Sequence, residues 1–273
     1  MEGTSYYRIP AQEVMALSKI PIFCMEDQPS VFYKMALEMA ETIEEHNREG
    51  KRTVYILPFG PTGQYPFFVD LVNKKRIDLK HTWFISMDDW LGKDGRLVKS
   101  NSIHSLRRKF EAELYSKIAP ELLMPQKQRL FPDPERLGDI PEQIRQLGGV
   151  DICFAGIGIN GHLGFNEPME AGVQEFAGLG PRIVKISDLT IAVKASSGFH
   201  GALEDIPAFG VTIGMKEMLE ARKVSVYCFR DWHSGAVRRA GCGPVTARFP
   251  ASLLQLHSHA SITCSPNALA PCY

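Results

Sequence analysis

Short apolar segments of strand length alternate with helical patterns along most of this chain, and this alternation limits the folds it can adopt. The intervening segments carry apolar residues at helical spacing, or begin with proline and end with glycine, as residues 134–148 do. Parallel strands need long crossover connections of this kind. The pattern therefore predicts an α/β fold, a three-layer Rossmann-like sheet that is mainly parallel. The predicted strands are residues 53–57, 81–87, 150–155, 208–214, 223–229 and 260–264, with shorter ones around 129–131 and at 182–186.

The bulk composition narrows the classes of function. The length of 273 residues suits a single domain spanning 1–273, and 31 basic residues balance 31 acidic ones. No positive excess is present to favour a nucleic acid or an anionic membrane as partner. Because no apolar run reaches membrane-spanning length and no signal-peptide pattern opens the chain, we expect a cytoplasmic protein. The scattered cysteines include no Cys-x-x-Cys pair, and no G-x-G-x-x-G follows the first strand, so we expect no metal and no cofactor.

Three segments are predicted to depart from the regular alternation. Residues 1–29 are interrupted by three prolines and are expected to be irregular. Residues 169–180 are rich in Gly and Ala and low in large apolar side chains, and residues 187–200 look polar and loose, so residues 169–205 together are expected to form an excursion from the core. This excursion is either a lid over a binding site or a plain surface insertion. At the other end of the chain, residues 260–264 are expected to form the last strand, at an edge of the sheet.

The segment 150–168, VDICFAGIGINGHLGFNEP, joins a buried strand directly to glycines and then to polar side chains. In open α/β sheets, ligands bind at the carboxyl ends of the strands, where these polar groups are predicted to lie. His162 and Glu167 supply an imidazole and a carboxylate, the groups of a general acid–base pair. Gly158 and Gly161 permit close approach of a ligand, although glycines after a strand are equally typical of an ordinary turn. Asn160 lies between them in the sequence.

Two other predicted strands also end in residues suited to a binding site. The segment after residues 53–57 contains Gly60, Thr62 and Gly63, and such a turn before a helix exposes backbone N–H groups that can hold an anion. A tight strand-to-helix turn without a ligand fits the same residues. Asp88 and Asp89 follow residues 81–87, where they are either part of the same site, a solvated turn or a helix cap.

Residues 156–168 resemble the signature G-[IV]-G-x-[DN]-G-H-[IL]-[AG]-F-N-E-P of the glucosamine-6-phosphate deaminase family, which is similar in fold to the 6-phosphogluconolactonases. Residues 87–89 resemble the family's M-D-E segment, and the resemblance covers roughly residues 53–265. It implies a three-layer α/β fold and conversion of an amino-sugar phosphate to a ketose phosphate and ammonia. A sugar phosphate is then the expected partner, bound by a single chain or by a homo-oligomer.

The resemblance also implies roles for individual residues. Asp88 is the expected base that moves a proton between C1 and C2, and His162 is expected to open the pyranose ring. Glu167 would orient His162, while Asn160, which replaces the more usual Asp, would hold it by a hydrogen bond. Lys194 and His233 lie nearest the positions of the family's phosphate-binding Arg and Lys. The remaining expected substrate contacts are Gly60, Thr62, Gly63, Asp89, Gly158 and Gly161.

Two other classes of function remain open from the sequence. A 6-phosphogluconolactonase needs only the histidine and a cavity at the sheet edge, but it usually lacks the F-N-E-P and M-D-D elements found here. A non-catalytic sugar-phosphate-binding protein would keep the cavity and lose the acid–base residues. Asn160 favours that alternative slightly, whereas Asp88, His162 and Glu167 favour an enzyme.

Overall fold

The structure is a computed structural model that describes residues 5–273. Across these residues, seven parallel strands form a central sheet and three antiparallel strands form a smaller second sheet. The predicted three-layer architecture with a mainly parallel sheet is confirmed. The strands in chain order are β1 (Ile22–Cys24), β2 (Thr53–Leu57), β3 (Thr82–Ser86), β4 (Asp88–Leu91), β5 (Arg129–Leu130), β6 (Ile152–Ala155), β7 (Arg182–Lys185), β8 (Phe209–Thr212), β9 (Lys223–Cys228) and β10 (Ala260–Cys264).

The central sheet has the order β1-β10-β9-β6-β2-β3-β5, and the second sheet has the order β4-β8-β7. Helices cover both faces of the central sheet, since α2 and α3 pack on one face and α1, α8 and α9 on the other. The α-helices are α1 (Ala11–Leu17), α2 (Gln28–Arg48), α3 (Gln64–Lys75), α4 (Leu106–Glu113), α5 (Asp139–Gln146), α6 (Val173–Ala177), α7 (Asp188–Gly198), α8 (Met215–Leu219) and α9 (His233–Cys242).

The side chains of the central strands alternate between two hydrophobic cores. Ile56 of β2 packs into the core beneath α9, whereas its neighbour Tyr55 packs into the core beneath α2 and α3. Both faces of a parallel sheet covered by helices are buried, so its strands need apolar residues at every position. This requirement explains why β2, β3, β6, β9 and β10 were visible in the sequence as apolar runs, whereas the short strand β1 was not.

Three expectations about the less regular segments are wrong. The described part of the segment 1–29, residues 5–29, is not irregular, because it contains α1 and the edge strand β1, and residues 1–4 lie outside the described residues. The pairing of Ile22 with Ile262 places β1 outside β10, so residues 260–264 do not form the edge. Residues 187–200 are not loose, because Ser187 Oγ accepts a 3.2 Å hydrogen bond from the Thr190 N–H and caps α7. Among residues 5–273, no helix is long and apolar enough to cross a membrane.

Candidate active site

A cavity of about 1060 Å³ opens at the carboxyl ends of the central strands. The loops that follow β2, β6 and β9 line it, together with β4 and one face of α7. This is the position at which an open α/β sheet binds its ligand. Of the residues expected at the site, those that line the cavity are Gly60, Thr62, Gly63, Asp88, Gly158, His162, Lys194 and His233.

Asp88 is a buried carboxylic acid at the start of β4. Its side chain is 7% exposed, and burial raises the pKa of the carboxyl to about 7. The positive charge of Lys194 opposes this rise, whereas the negative charge of Asp89 adds to it. A carboxyl with this pKa is only partly ionised at neutral pH, so it can both take up and release a proton.

Asp89 faces away from the cavity, because successive side chains of a strand point to opposite sides. It is 2% exposed, and its Oδ1 accepts hydrogen bonds from the backbone N–H groups of Trp90 at 2.9 Å and Leu106 at 3.0 Å. The second bond ties β4 to the first residue of α4. Asp89 therefore anchors a helix, and the expectation that it contacts the substrate is wrong.

The side-chain amide of Asn160 links His162 to Glu167. Its Oδ1 accepts hydrogen bonds from the backbone N–H of His162 at 3.3 Å and from the ring Nδ1 of His162 at 2.8 Å. Its Nδ2 donates to Oε2 of Glu167 at 2.6 Å. Because a backbone N–H can only donate, the oxygen of the amide must face His162 and the nitrogen must face the carboxylate.

This arrangement determines the protonation of His162. Since Asn160 presents an acceptor, Nδ1 of His162 must carry the hydrogen, which leaves Nε2 as the basic nitrogen of the neutral ring. Burial lowers the pKa of His162, while the Glu167 carboxylate raises it and the Lys194 ammonium lowers it. The ring packs on Gly158, where an added Cβ would lie 2.2 Å from Nε2. Only glycine at that position leaves room for the imidazole.

Glu167 contacts the ring of His162 less directly than the sequence predicted. Its Oε2 lies 3.9 Å from Nδ1, beyond hydrogen-bond distance, and the shorter path runs through Asn160. Its Oε1 accepts a 3.3 Å hydrogen bond from the N–H of Ser187 at the start of α7. The carboxylate therefore holds both Asn160 and the residue that caps α7.

His233 lines the cavity but does not provide a positive charge. It is buried, and its Nδ1 accepts hydrogen bonds from the backbone N–H groups of Phe229 and Arg230, both at 2.9 Å. Burial and the nearby charge of Arg230 lower the pKa of His233 to about 3. The ring is neutral at physiological pH, so the expectation that it binds phosphate as a cation is wrong.

Gly161 is a structural glycine outside the cavity lining. Its φ of +89° is unfavourable for other residues, and an added Cβ would lie 2.5 Å from the ring of Phe249. Its carbonyl accepts a 2.8 Å hydrogen bond from the N–H of Ala251. The expectation that Gly161 contacts the ligand is therefore also wrong.

Two cations of the cavity were missed in the sequence. Lys109 of α4 lines the cavity, with its Nζ 5.9 Å from the ring centroid of Phe59 and 5.4 Å from that of Phe199. Arg230, which follows β9, also lines it. Lys109 lies three residues after the buried Leu106 on the inner face of α4, and that spacing could have identified it. Arg230 directly follows the predicted strand 223–229, and this position at a strand end could have identified it.

Known proteins with similar sequences are glucosamine-6-phosphate deaminases, although no family model matches the chain. The deaminase of Lachnoclostridium phytofermentans is 30% identical over 210 residues, which cover 75% of this chain and 82% of that protein. The deaminase of Clostridium perfringens is 26% identical over 231 residues, covering 81% and 87%.

Solved structures show the same fold. A monomeric glucosamine-6-phosphate deaminase has a TM-score of 0.79 at 21% identity, covering 90% of this chain and 98% of that chain. A 6-phosphogluconolactonase from Thermotoga maritima has a TM-score of 0.63 at 15% identity, covering 89% and 98%.

Proposed function

Because the chain belongs to the glucosamine-6-phosphate deaminase family, we propose that it converts glucosamine 6-phosphate and water to fructose 6-phosphate and ammonia. The observation that carries this proposal is the convergence of two different proton carriers on one cavity. Asp88 reaches it from β4, and His162 reaches it from the loop after β6. Neither residue is close to the other in sequence, and each has a pKa displaced by burial.

His162 opens the pyranose ring in this mechanism. Its unprotonated Nε2 takes the proton from the hydroxyl at C1, and the resulting imidazolium returns a proton to the ring oxygen as the C1–O5 bond breaks. Asn160 keeps Nδ1 protonated and fixes the plane of the ring. Glu167 holds Asn160 in place and stabilises the transient imidazolium by its charge.

Asp88 then moves a proton from C2 to C1 of the open sugar. Its carboxylate removes the C2 proton, and the same acid returns the proton to C1 as the amine lone pair forms a C2=N bond. Water adds to C2 of this iminium group and gives one proton to O1. The proton of the new C2 hydroxyl then passes to the amine as the C–N bond breaks, which leaves the ketone and releases ammonia. The net reaction is therefore a hydrolytic deamination coupled to an aldose–ketose isomerisation.

The phosphate group is held by the segment 58–63 and by cations of the same cavity. Gly60, Thr62 and Gly63 line the cavity just before α3, and Lys109 lies next to this segment against Phe59. Arg230 supplies a second positive charge in place of the neutral His233. A doubly charged phosphate is matched by two cations better than by one.

Residues 169–205 act as a lid in this proposal. The segment contains α6, β7 and α7, and Thr190, Val193, Lys194 and Ser197 of α7 line the cavity. Closure of α7 over a bound sugar would exclude water during the proton transfer.

The test is to incubate the purified protein with glucosamine 6-phosphate and to measure ammonia and fructose 6-phosphate. We expect equimolar products from the wild type and none from Asp88→Asn, a variant of nearly the same shape. Hydrolysis of 6-phosphogluconolactone without ammonia release would instead assign a lactonase. If neither product forms but sugar phosphates raise the melting temperature, the protein is a binding protein and the proposal is wrong.

A further inference from the structure

Lys194 occupies a position in the cavity that phosphate binding does not explain. It lies on the face of α7 that includes Thr190, and the hydroxyl of Thr190 is 3.2 Å from Nδ1 of His162. This face of the helix therefore covers the reacting end of the cavity, where the two proton carriers are found.

The strand opposite α7 places Lys194 close to Asp88. Asp88 and Trp90 are two residues apart on β4, so their side chains share one face of the strand, and both line the cavity. The Nζ of Lys194 is 6.0 Å from the ring centroid of Trp90. The ammonium group is thus positioned over the strand face that carries the buried carboxyl.

The charged groups around the cavity also pair Lys194 with Asp88. Asp88 is the charge that acts most strongly on Lys194, and Lys194 is the charge that acts most strongly on Asp88. Lys109 and Arg230 also act on Lys194, both by repulsion, and Lys194 in turn lowers the pKa of His162. The carboxylates that act on Lys109 are Glu113 and Asp89.

Neither member of the pair has another strong partner. Within residues 5–273, no carboxylate lies within 4.0 Å of the Lys194 ammonium. In the same range, no protein N–H or O–H donates a hydrogen bond to the Asp88 carboxylate. Both residues line the cavity, so a small polar ligand bound there can contact the two groups.

We propose that Lys194 is a catalytic residue of the proton transfer, which balances the Asp88 carboxylate before the step and stabilises the negative charge on O1 of the open sugar after it. The proposal rests on the deaminase function. As the C2–H bond breaks, its electron pair forms the C1=C2 double bond, and the carbonyl π pair moves onto O1. The proton goes to Asp88, so one negative charge disappears from the carboxylate and appears on the sugar oxygen.

The Lys194 ammonium has a negative partner throughout this step. In a cavity of low dielectric constant, creating an unbalanced charge is costly, whereas moving a charge between two partners of the same cation costs much less. Lys109, which we assign to the phosphate, is not among the charges that shift the pKa of Asp88, whereas Lys194 is.

The first experiment compares Lys194→Met with Lys109→Met, since each removes one ammonium group from the same cavity. In Lys194→Met, we expect kcat for C2-proton exchange in D₂O to fall about 100-fold, with inhibition by inorganic phosphate unchanged. In Lys109→Met, we expect a higher KM and weaker inhibition by phosphate, with a smaller loss in kcat. The reverse pattern, in which Lys194→Met weakens phosphate inhibition and spares kcat, would overturn the proposal.

A second measurement does not depend on activity. Titration of the Asp88 carboxyl carbon by NMR in the free protein should give a higher pKa in Lys194→Met than in the wild type, by roughly tenfold in acid dissociation constant. Lys194→Arg keeps the positive charge and should give the wild-type titration. An unchanged pKa in Lys194→Met would contradict the proposed pairing even if the deaminase assay succeeds. If the wild type releases no ammonia but the titration shift is as expected, the proposed function is wrong. Only the pairing of Lys194 with Asp88 is then supported.

Discussion

The Nδ1 of His162 lies 2.8 Å from the Oδ1 of Asn160, so the side-chain amide of Asn160 determines which ring nitrogen carries the hydrogen. An aspartate at this position would lie beside the carboxylate of Glu167, and two carboxylates at such a distance cannot both ionise. The amide avoids this conflict because it donates to Glu167 through Nδ2 and accepts from His162 through Oδ1. Asn160 can therefore take the orienting role of an acid without being able to act as a base.

The role of Asn160 can be tested by removing its hydrogen bonds while keeping its size. In Asn160→Leu, Nδ1 of His162 loses its acceptor, so we expect kcat/KM for glucosamine 6-phosphate to fall about 10- to 100-fold, as for other supporting hydrogen bonds. In Asn160→Asp, a proton shared with Glu167 would replace the amide N–H, so most activity should remain. Steady-state kinetics measures both variants. Equal losses in the two would show that the acceptor oxygen is not what His162 requires.

Replacing His162 tests the ring-opening step separately from the proton transfer. In His162→Gln, the basic Nε2 is absent, so use of the pyranose form should slow by about 10²- to 10⁴-fold, the range for a general acid–base group. An open-chain analogue that cannot cyclise bypasses ring opening, and its turnover should fall far less. The ratio of the two rates in wild type and variant is the measurement. Equal losses on both substrates would exclude His162 from ring opening.

In the proposed mechanism, the raised pKa of Asp88 should set the pH range of the reaction. Because Asp88 must be ionised to remove the C2 proton, kcat/KM should fall as the pH decreases through about 7, the pKa of this carboxyl. Protonation of His162 affects the rate only at lower pH, since burial lowers its pKa. The profile between pH 5 and 9 gives the apparent pKa of the acid limb. A limb near pH 4, the usual value for an aspartic acid, would mean that another group is the base.

The sequence predicted most of the central sheet and placed Asp88 and His162 at one edge of it, because both predictions depend on local patterns. Asp88 and His162 follow apolar strands, and strand ends of a parallel sheet meet at one edge. Arg230 also follows a predicted strand and could have been assigned in this way, whereas the contribution of Lys109 depends on which face of α4 turns toward the cavity. His233 was predicted to be a cation because of its position in the sequence, and this prediction is wrong because burial keeps its ring neutral.

The contrast between Asp88 and Asp89 shows how strand geometry separates two adjacent identical residues. The sequence placed both at the site, whereas alternation along β4 sends one to the cavity and the other to the start of α4. Similarly, the polar residues of α7 looked like a loop because that helix buries few large apolar side chains. Its cap at Ser187 was the local signal that favoured a helix.

Asp89 should be required for stability and not for chemistry. In Asp89→Ala, the buried N–H groups of Trp90 and Leu106 lose their acceptor, so the free energy of unfolding should decrease by about 1–3 kcal/mol. Asp89→Asn keeps an oxygen at the same place and should lose less than about 1 kcal/mol. Urea unfolding gives these values, and kcat/KM per folded molecule should stay within a few-fold of the wild type in both variants. If Asp89→Ala folds stably but no longer binds substrate, Asp89 belongs to the active site and this prediction is wrong.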